Sequence, residues 1–135
     1  MSERKVVRVR EVMKKGFDTV DGLMTVSDAL KSMRHHETKA LVVRKRHDND
    51  EFGMLLLSDI ARHVLDQDRS PERVNVYEIM AKPVLSVSPE MDIRYCARLF
   101  ERFDLSRAPV IDAAGEVVGI VSFTDMVLHG LIAPE

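Results

Sequence analysis

The stretch GIVSFTD, Gly119 to Asp125, begins as an apolar run and then presents two hydroxyls and a carboxylate at Ser122, Thr124 and Asp125. Residues of these types at the end of a strand-like run fit two chemistries. A helix starting there leaves amide donors unpaired, and a hydroxyl or carboxylate at that point caps them. The same unpaired amides and their partial positive charge also favour a bound phosphate, for which Ser122 and Thr124 add hydroxyl donors. On the plainer reading Thr124 or Asp125 caps the helix and Ser122 merely ends the strand. An earlier stretch, GMLLLSD from Gly53 to Asp59, has the same length and ends but stays apolar through Leu56 and Leu57. If that junction forms with fewer donors, capping does not require Ser122, and its hydroxyl is the reason to look for a phosphate.

Other reactive side chains form no acid-base, nucleophilic or metal-ligating constellation, so no catalytic residue is assigned. Cys96 falls on an apolar helix face and reads as core. His35 and His36 are adjacent, so on a helix their rings point about 100° apart and cannot chelate one ion; no metal site is expected. His63 and His129 occupy matching places near the two closing segments, where a helix-dipole or dimer contact is the natural role. The run RKRH, Arg44 to His47, is an anion patch on one reading and a solvated turn or charge-guarded edge strand on the plainer one. Methionines at 13, 24, 33, 54, 80 and 91 fall mostly at periodic apolar positions and are read as core filling.

These residues sit in a chain that repeats itself. VREVMKKGFDTV over VYEIMAKPVLSV places Met13 on Met80, 67 positions on, and the same offset pairs Val20 with Val87, Met24 with Met91 and Val43 with Val110. Gly53 with Gly119 and Asp59 with Asp125 follow at 66, so the first copy carries one extra residue in its RKRHDNDEF turn. Within each copy Val26, Ala29, Leu30, Met33 and Ile93, Cys96, Ala97, Phe100 mark one apolar face of a helix. The runs ALVV and GMLLL, then APVI and VVGIV, are of strand length; DAAG (Asp112–Gly115) is good hairpin turn chemistry, and RHDND serves more loosely. Each copy closes with a second helical segment, IARHVL or MVLHGL. The reading is α/β, two tandem β-α-β-β-α repeats over residues 1–65 and 76–135, joined by a polar linker, DQDRSPERVN, at 66–75. Each copy is short enough that the two are expected to bury their apolar faces together as one module.

Composition narrows the function classes. Apolar residues are 45% and charged ones 31%, with 20 Lys and Arg against 22 Asp and Glu, so nothing points to nucleic acid. One cysteine excludes an intrachain disulfide framework and fits a reducing, cytoplasmic setting. The charged N-terminus is no secretory signal, and no apolar run approaches the roughly 18 residues of a membrane span.

The repeated VREVM and VYEIM, with VLSVSPEMDI, LSRAPVID and GIVSFTD in that order, resemble the tandem cystathionine-beta-synthase-type (CBS) domain pair, or Bateman module, from about Val9 to Leu131. The resemblance implies sheets packed together about a pseudo-twofold axis, a homodimer, and a regulatory module rather than an enzyme. It also implies clefts between the copies that take AMP, ADP or ATP, with S-adenosylmethionine or NAD as further adenosine-containing candidates. The effector protein it would act on is not legible.

By matching position, the first cleft draws on Ser122, Thr124, Asp125 and Ile120 together with Gly16, Phe17, Asp18, Thr38, Lys39 and Ala40. Asp125 would hold the ribose hydroxyls and Ile120 flank the base. The second draws on Ser58 and Asp59 with Pro83, Val84, Leu85, Leu105, Ser106, Arg107 and Ala108. Lys39 and Arg107 are the expected phosphate-facing cations. Both clefts depart from the family pattern. Leu56 replaces a Ser or Thr beside Asp59, while Asp18 stands where a neutral residue is usual, opposing phosphate if it points inward, and Leu41 replaces a proline. Asp125 ranks first on its donors, and a ligand-free dimerisation scaffold with degenerate clefts is the competing reading.

Overall fold

The computed structural model describes residues 5–132, which form a mixed α/β chain with two sheets and divide into two compact units. The units do not follow the repeat boundary. One is Gly16–Val84; the other joins the N-terminal segment, through Lys15, to the chain from Leu85 onward.

The Gly16–Val84 unit is built on a three-stranded sheet of β1 (Thr19–Val20), β2 (Ala40–Val43) and β3 (Gly53–Leu56). Central β2 runs parallel to β1 (Val20 beside Val43) and antiparallel to β3 (Ala40 beside Leu56, Val43 beside Gly53). All four residues of β2 are buried, as a middle strand covered on both faces requires. Helix α2 (Val26–Ser32) starts at Thr25, whose hydroxyl accepts from the amide of Asp28 at 3.1 Å, and it buries Val26 and Ala29. Leu30, expected on the same face, is 37% exposed, while Met33 just past the helix is buried. After β3 the chain turns directly into α3 (Leu57–Ile60), which relaxes into a π turn over Ala61–Leu65. The linker packs here as well: Val74 is 2% exposed in a small cluster with Val26 and Val64, and its carbonyl accepts from Val26 at 2.8 Å.

In the other unit β4 (Arg107–Ile111) and β5 (Val117–Ser122) form the hairpin expected from DAAG. Gly115 takes φ +82°, and the Asp112 carboxylate accepts from Ala114 and Glu116 at 3.0 and 2.9 Å. The leading strand of this copy contracts to one parallel rung, Val87 beside Val110, at the positions equivalent to Val20 and Val43. Helix α5 (Ile93–Arg102), capped by Asp92, puts Ile93, Cys96 and Phe100 into a core shared with Val110, Val121 and Met126. Phe100 meets Phe123 of α6 (Phe123–Gly130) edge to face at 5.2 Å. Cys96 is fully buried, and burial pushes its thiol up to about 11, so it is core and not a nucleophile.

The short helices α1 (Val9–Val12) and α4 (Val76–Ile79) open the two copies, and each joins the unit built mainly from the other copy. Val9 donates to the carbonyl of Met91 as Val76 does to that of Met24, both at 2.8 Å. Past each helix the chain pairs with the last strand of its unit. Lys14 and Ile120 exchange two backbone bonds of 2.9 and 3.0 Å, and Ala81 and Met54 two of 2.9 Å. Glycine permits this approach: a Cβ on Gly119 would stand 2.6 Å from the Lys14 carbonyl oxygen, and one on Gly53 3.1 Å from that of Ala81.

Candidate functional site: two strand-to-helix junctions

Each unit has one place where a buried strand becomes a helix beside a carboxylate, Ser122–Asp125 in one and Leu56–Asp59 in the other. At the β5–α6 junction Ser122 is the cap. Its hydroxyl accepts from the amide of Asp125 at 3.1 Å, and Asp125 Oδ2 in return accepts from the Ser122 amide (3.0 Å) and hydroxyl (2.9 Å). The reading that capping dispenses with Ser122 is therefore corrected for this junction. Asp125 Oδ1 accepts from the ammonium of Lys14, whose chain is brought there by its pairing with Ile120. The carboxylate is 2% exposed, so the ion pair is buried on its acidic side and part-exposed on its basic one.

The partner strip LSRAP lies in the same unit. Arg107 is the β4 residue opposite Ser122, and the Phe123 amide donates to the carbonyl of Ser106 at 3.1 Å. Partial burial lowers the Arg107 guanidinium, while the charge of Asp125 opposes that shift and favours the cation. Ala108 is buried, Ser106 and Thr124 are exposed, and Ile120 at 1% is part of the interior rather than an open wall for a ring.

At the β3–α3 junction no side chain caps the helix, because Leu56 stands in Ser122's place. Asp59 Oδ2 still accepts from the Leu56 amide at 3.1 Å, half of the same box, and Oδ1 accepts from Arg62 at 2.9 Å. Arg62 is 67% exposed and Asp59 17%. Ala81, the residue equivalent to Lys14, brings no charge. Lys39 has φ +57° and is exposed, its carbonyl accepting from Leu57 at 3.0 Å. Buried Thr38 holds its hydroxyl 2.9 and 3.0 Å from the carbonyl oxygens of His35 and Ala40.

Asp18 is tied within this unit. Its carboxylate accepts from the amides of Arg34 (3.1 Å) and His35 (2.9 Å) and meets His35 Nδ1 at 3.2 Å. Burial works to raise its carboxyl, but the two amides and the imidazole outweigh it and hold the group below the usual range. Gly16 lies against the same imidazole, where an added Cβ would stand 2.7 Å from the ring.

The structure thus distributes the sequence-predicted residues by unit. Leu85, Leu105–Ala108, Ile120, Ser122, Thr124 and Asp125 lie in one; Gly16, Phe17, Asp18, Thr38, Lys39, Ala40, Ser58, Asp59, Pro83 and Val84 lie in the other. Sequence reasoning missed Lys14 and His35. KKGFD contains Lys14, but its partner is 111 residues away and no periodicity signals that crossing. Among the described residues no group of three His, Cys, Asp or Glu side chains could hold a metal, and no helix is long and apolar enough to cross a membrane.

A CBS-domain family model matches residues 9–66 and 76–130. The chain is similar to the hexameric CBS-CP12 protein from bloom-forming cyanobacteria, at 37% identity and TM-score 0.86 over 93% of this chain and 68% of that one. It is 31% identical to the mitochondrial CBS domain-containing protein CBSX3 of Arabidopsis thaliana, over 88% of this chain and 62% of that protein. The cytosolic domain of the Mg2+ channel MgtE, solved in complex with ATP, matches at 27% identity and TM-score 0.67 over 86% of this chain and 46% of that one. The chain spans about three fifths of the length of the first curated relatives it matches.

Proposed function

The chain belongs to the CBS-domain family as a tandem pair, and from that premise we propose that it is a regulatory module that binds adenosine-containing ligands at its two junctions. Occupancy would be passed on as a change of shape or of partner affinity, which requires only that the ligand favour one arrangement over another. AMP, ADP and ATP are the first candidates, S-adenosylmethionine and NAD the next, and the ATP complex of the MgtE cytosolic domain supports that class.

The observation that carries the reading is the accessible carboxylate of Asp59. It has one oxygen on a backbone amide and the other on an exposed, displaceable arginine, so it can accept the two hydroxyls of a ribose. Asp125 is 2% exposed with both oxygens engaged, which supports placing Asp59 ahead of it and reverses the order expected from the sequence. Within its own unit Asp59 has Gly16–Asp18, Thr38–Ala40, Ser58, Pro83 and Val84 as proposed contacts, and Asp125 within its unit has Leu85, Leu105–Ala108, Ser122 and Thr124.

A scaffold reading is favoured by one observation, the run of half-exposed apolar side chains Val127 (49%), Leu128 (52%) and Leu131 (70%) on and just after α6. We include self-association through this face in the proposal. Melting curves separate the readings, since a ligand that binds only the folded chain stabilises it by about 2.7 kcal/mol at a hundredfold excess over Kd. At least one of the five ligands, at millimolar concentration, raises Tm, and Asp59→Ala removes more of that rise than Asp125→Ala. No rise with any of them leaves the scaffold.

A further inference from the structure

We propose that the Gly16–Val84 unit carries an anion site away from its junction, at the carboxyl end of β1 and β2, for a small phosphorylated molecule with an aromatic or apolar body. A hollow of about 320 Å3 opens there, lined by Arg44, Arg46 and Lys82 together with Leu23, Tyr77 and Met80. A second hollow of about 240 Å3 continues it past Lys45. Asp59 lies beyond the other end of the sheet, since Leu56 pairs with Ala40 at the start of β2 whereas Arg44 follows its last residue.

The two arginines here are not spent on holding the fold, whereas Lys82 is paired with Asp50. β2 is the central strand, so guarding an exposed edge does not explain the RKRH run. Arg44 reaches the Thr19 carbonyl with one nitrogen at 3.3 Å, and Lys82 meets Asp50 at 2.7 Å with one of its three donors. The Arg46 guanidinium has no acceptor among the described residues, its backbone amide alone donating to Asp50. Lys45 lies over the Phe52 ring at 5.0 Å. Asp21 lines the hollow and accepts from the amide of Leu23, while the Asp50 carboxylate next to it is taken up by Lys82 and the Arg46 amide. Two guanidinium forks suit phosphate oxygens, with the remaining donors of Lys82 beside them, and the half-exposed Tyr77 (51%), Met80 and Leu23 line the same hollow with apolar surface for a ring.

The duplicated chain supplies the control. At the equivalent positions of the other copy Arg44 becomes Ile111, Arg46 becomes Ala113, Gly22 becomes Pro89 and Leu23 becomes Glu90. Tyr77 corresponds to Arg10, which there forms an ion pair with Glu90. The lysine at 82 is matched by Lys15 in the other copy, but both arginines are replaced there by uncharged residues, so the arginine pair is a property of this copy and not of the architecture.

Amide and arginine side-chain NMR shifts, followed while inorganic phosphate and phenyl phosphate are titrated to millimolar concentration, test the site. Saturable shifts at Asp21–Leu23, Arg44–Arg46 and Lys82 are expected. Arg44→Glu with Arg46→Glu, both exposed and so compatible with folding, should weaken binding about tenfold or more. Phenyl phosphate should bind several-fold more tightly than phosphate, and Tyr77→Ala should erase that preference. Asp59→Ala, which tests the junction, should leave these shifts in place. Absence of saturation at these residues, shifts indifferent to the charge reversal, or shifts confined to the junctions would overturn the assignment.

Discussion

The two junctions descend from one pattern and solve the same problem with different parts. Both must end a buried strand and start a helix beside a carboxylate. At Asp125 every oxygen is committed: the Ser122 hydroxyl and amide take one, and an ammonium delivered by the opening segment takes the other. At Asp59 the hydroxyl is replaced by Leu56 and the lysine by Ala81, leaving half a capping box and an arginine in solvent. Donors in a sequence therefore do not count as donors to a ligand until their internal bonds are known. The junction with the richer motif is the better satisfied one, and the poorer motif leaves the freer carboxylate.

Removing each cation separates the two most sharply. Lys14→Met keeps the aliphatic stem but strands a buried charge at Asp125, which costs about 3–5 kcal/mol when both partners are buried and about 2–3 with a part-exposed lysine. Arg62→Ala removes an exposed i,i+3 partner from Asp59 and costs about 0–1 kcal/mol. Urea denaturation reads both, and equal losses would mean that the burial contrast carries no energy.

The cap gives a smaller difference. Ser122→Ala removes the acceptor for the Asp125 amide and a donor to its carboxylate, a loss of about 1–2 kcal/mol. Leu56→Ser supplies the missing cap while giving up a half-buried leucine, two terms of about 1 kcal/mol and opposite sign, so stability should change by less than about 0.5 kcal/mol. A loss from Leu56→Ser as large as that from Ser122→Ala would show that Leu56 is held by packing and not merely tolerated at the cap.

What the sequence revealed followed from local rules. The DAAG hairpin, the α5 face through Cys96 and Phe100 and the doubling of the chain were all legible, because turn chemistry, helical spacing and a constant offset are written in neighbouring residues. The Lys14–Asp125 pair was not, since it depends on each opening segment joining the unit of the other copy, and periodicity carries no record of which unit a helix joins. The linker misled through its polarity, where one valine, Val74, was enough to pin it. Ser122 misled differently: its residue type was read correctly as a donor, but a hydroxyl both accepts and donates, and here both capacities are turned inward.

The effect confined to acid pH concerns a third carboxylate. Asp18 stands where the other copy has Leu85, and it accepts two backbone amides and faces His35. Its carboxyl is lowered in the folded chain from an ordinary value of 3.8, so the charged form is the one the fold favours. Linkage then gives a stabilisation that is complete above that ordinary value and disappears as pH falls through the lower folded value. Wild-type stability should therefore decline below about pH 4 partly on account of this group. Asp18→Asn retains an acceptor for the amides, costs about 1 kcal/mol near neutral pH, and flattens that part of the acid limb. Melting curves collected from pH 3 to 7 for both proteins measure the difference. Parallel curves would place the acid sensitivity elsewhere and leave Asp18 as a hydrogen-bond acceptor whose charge the unit does not use.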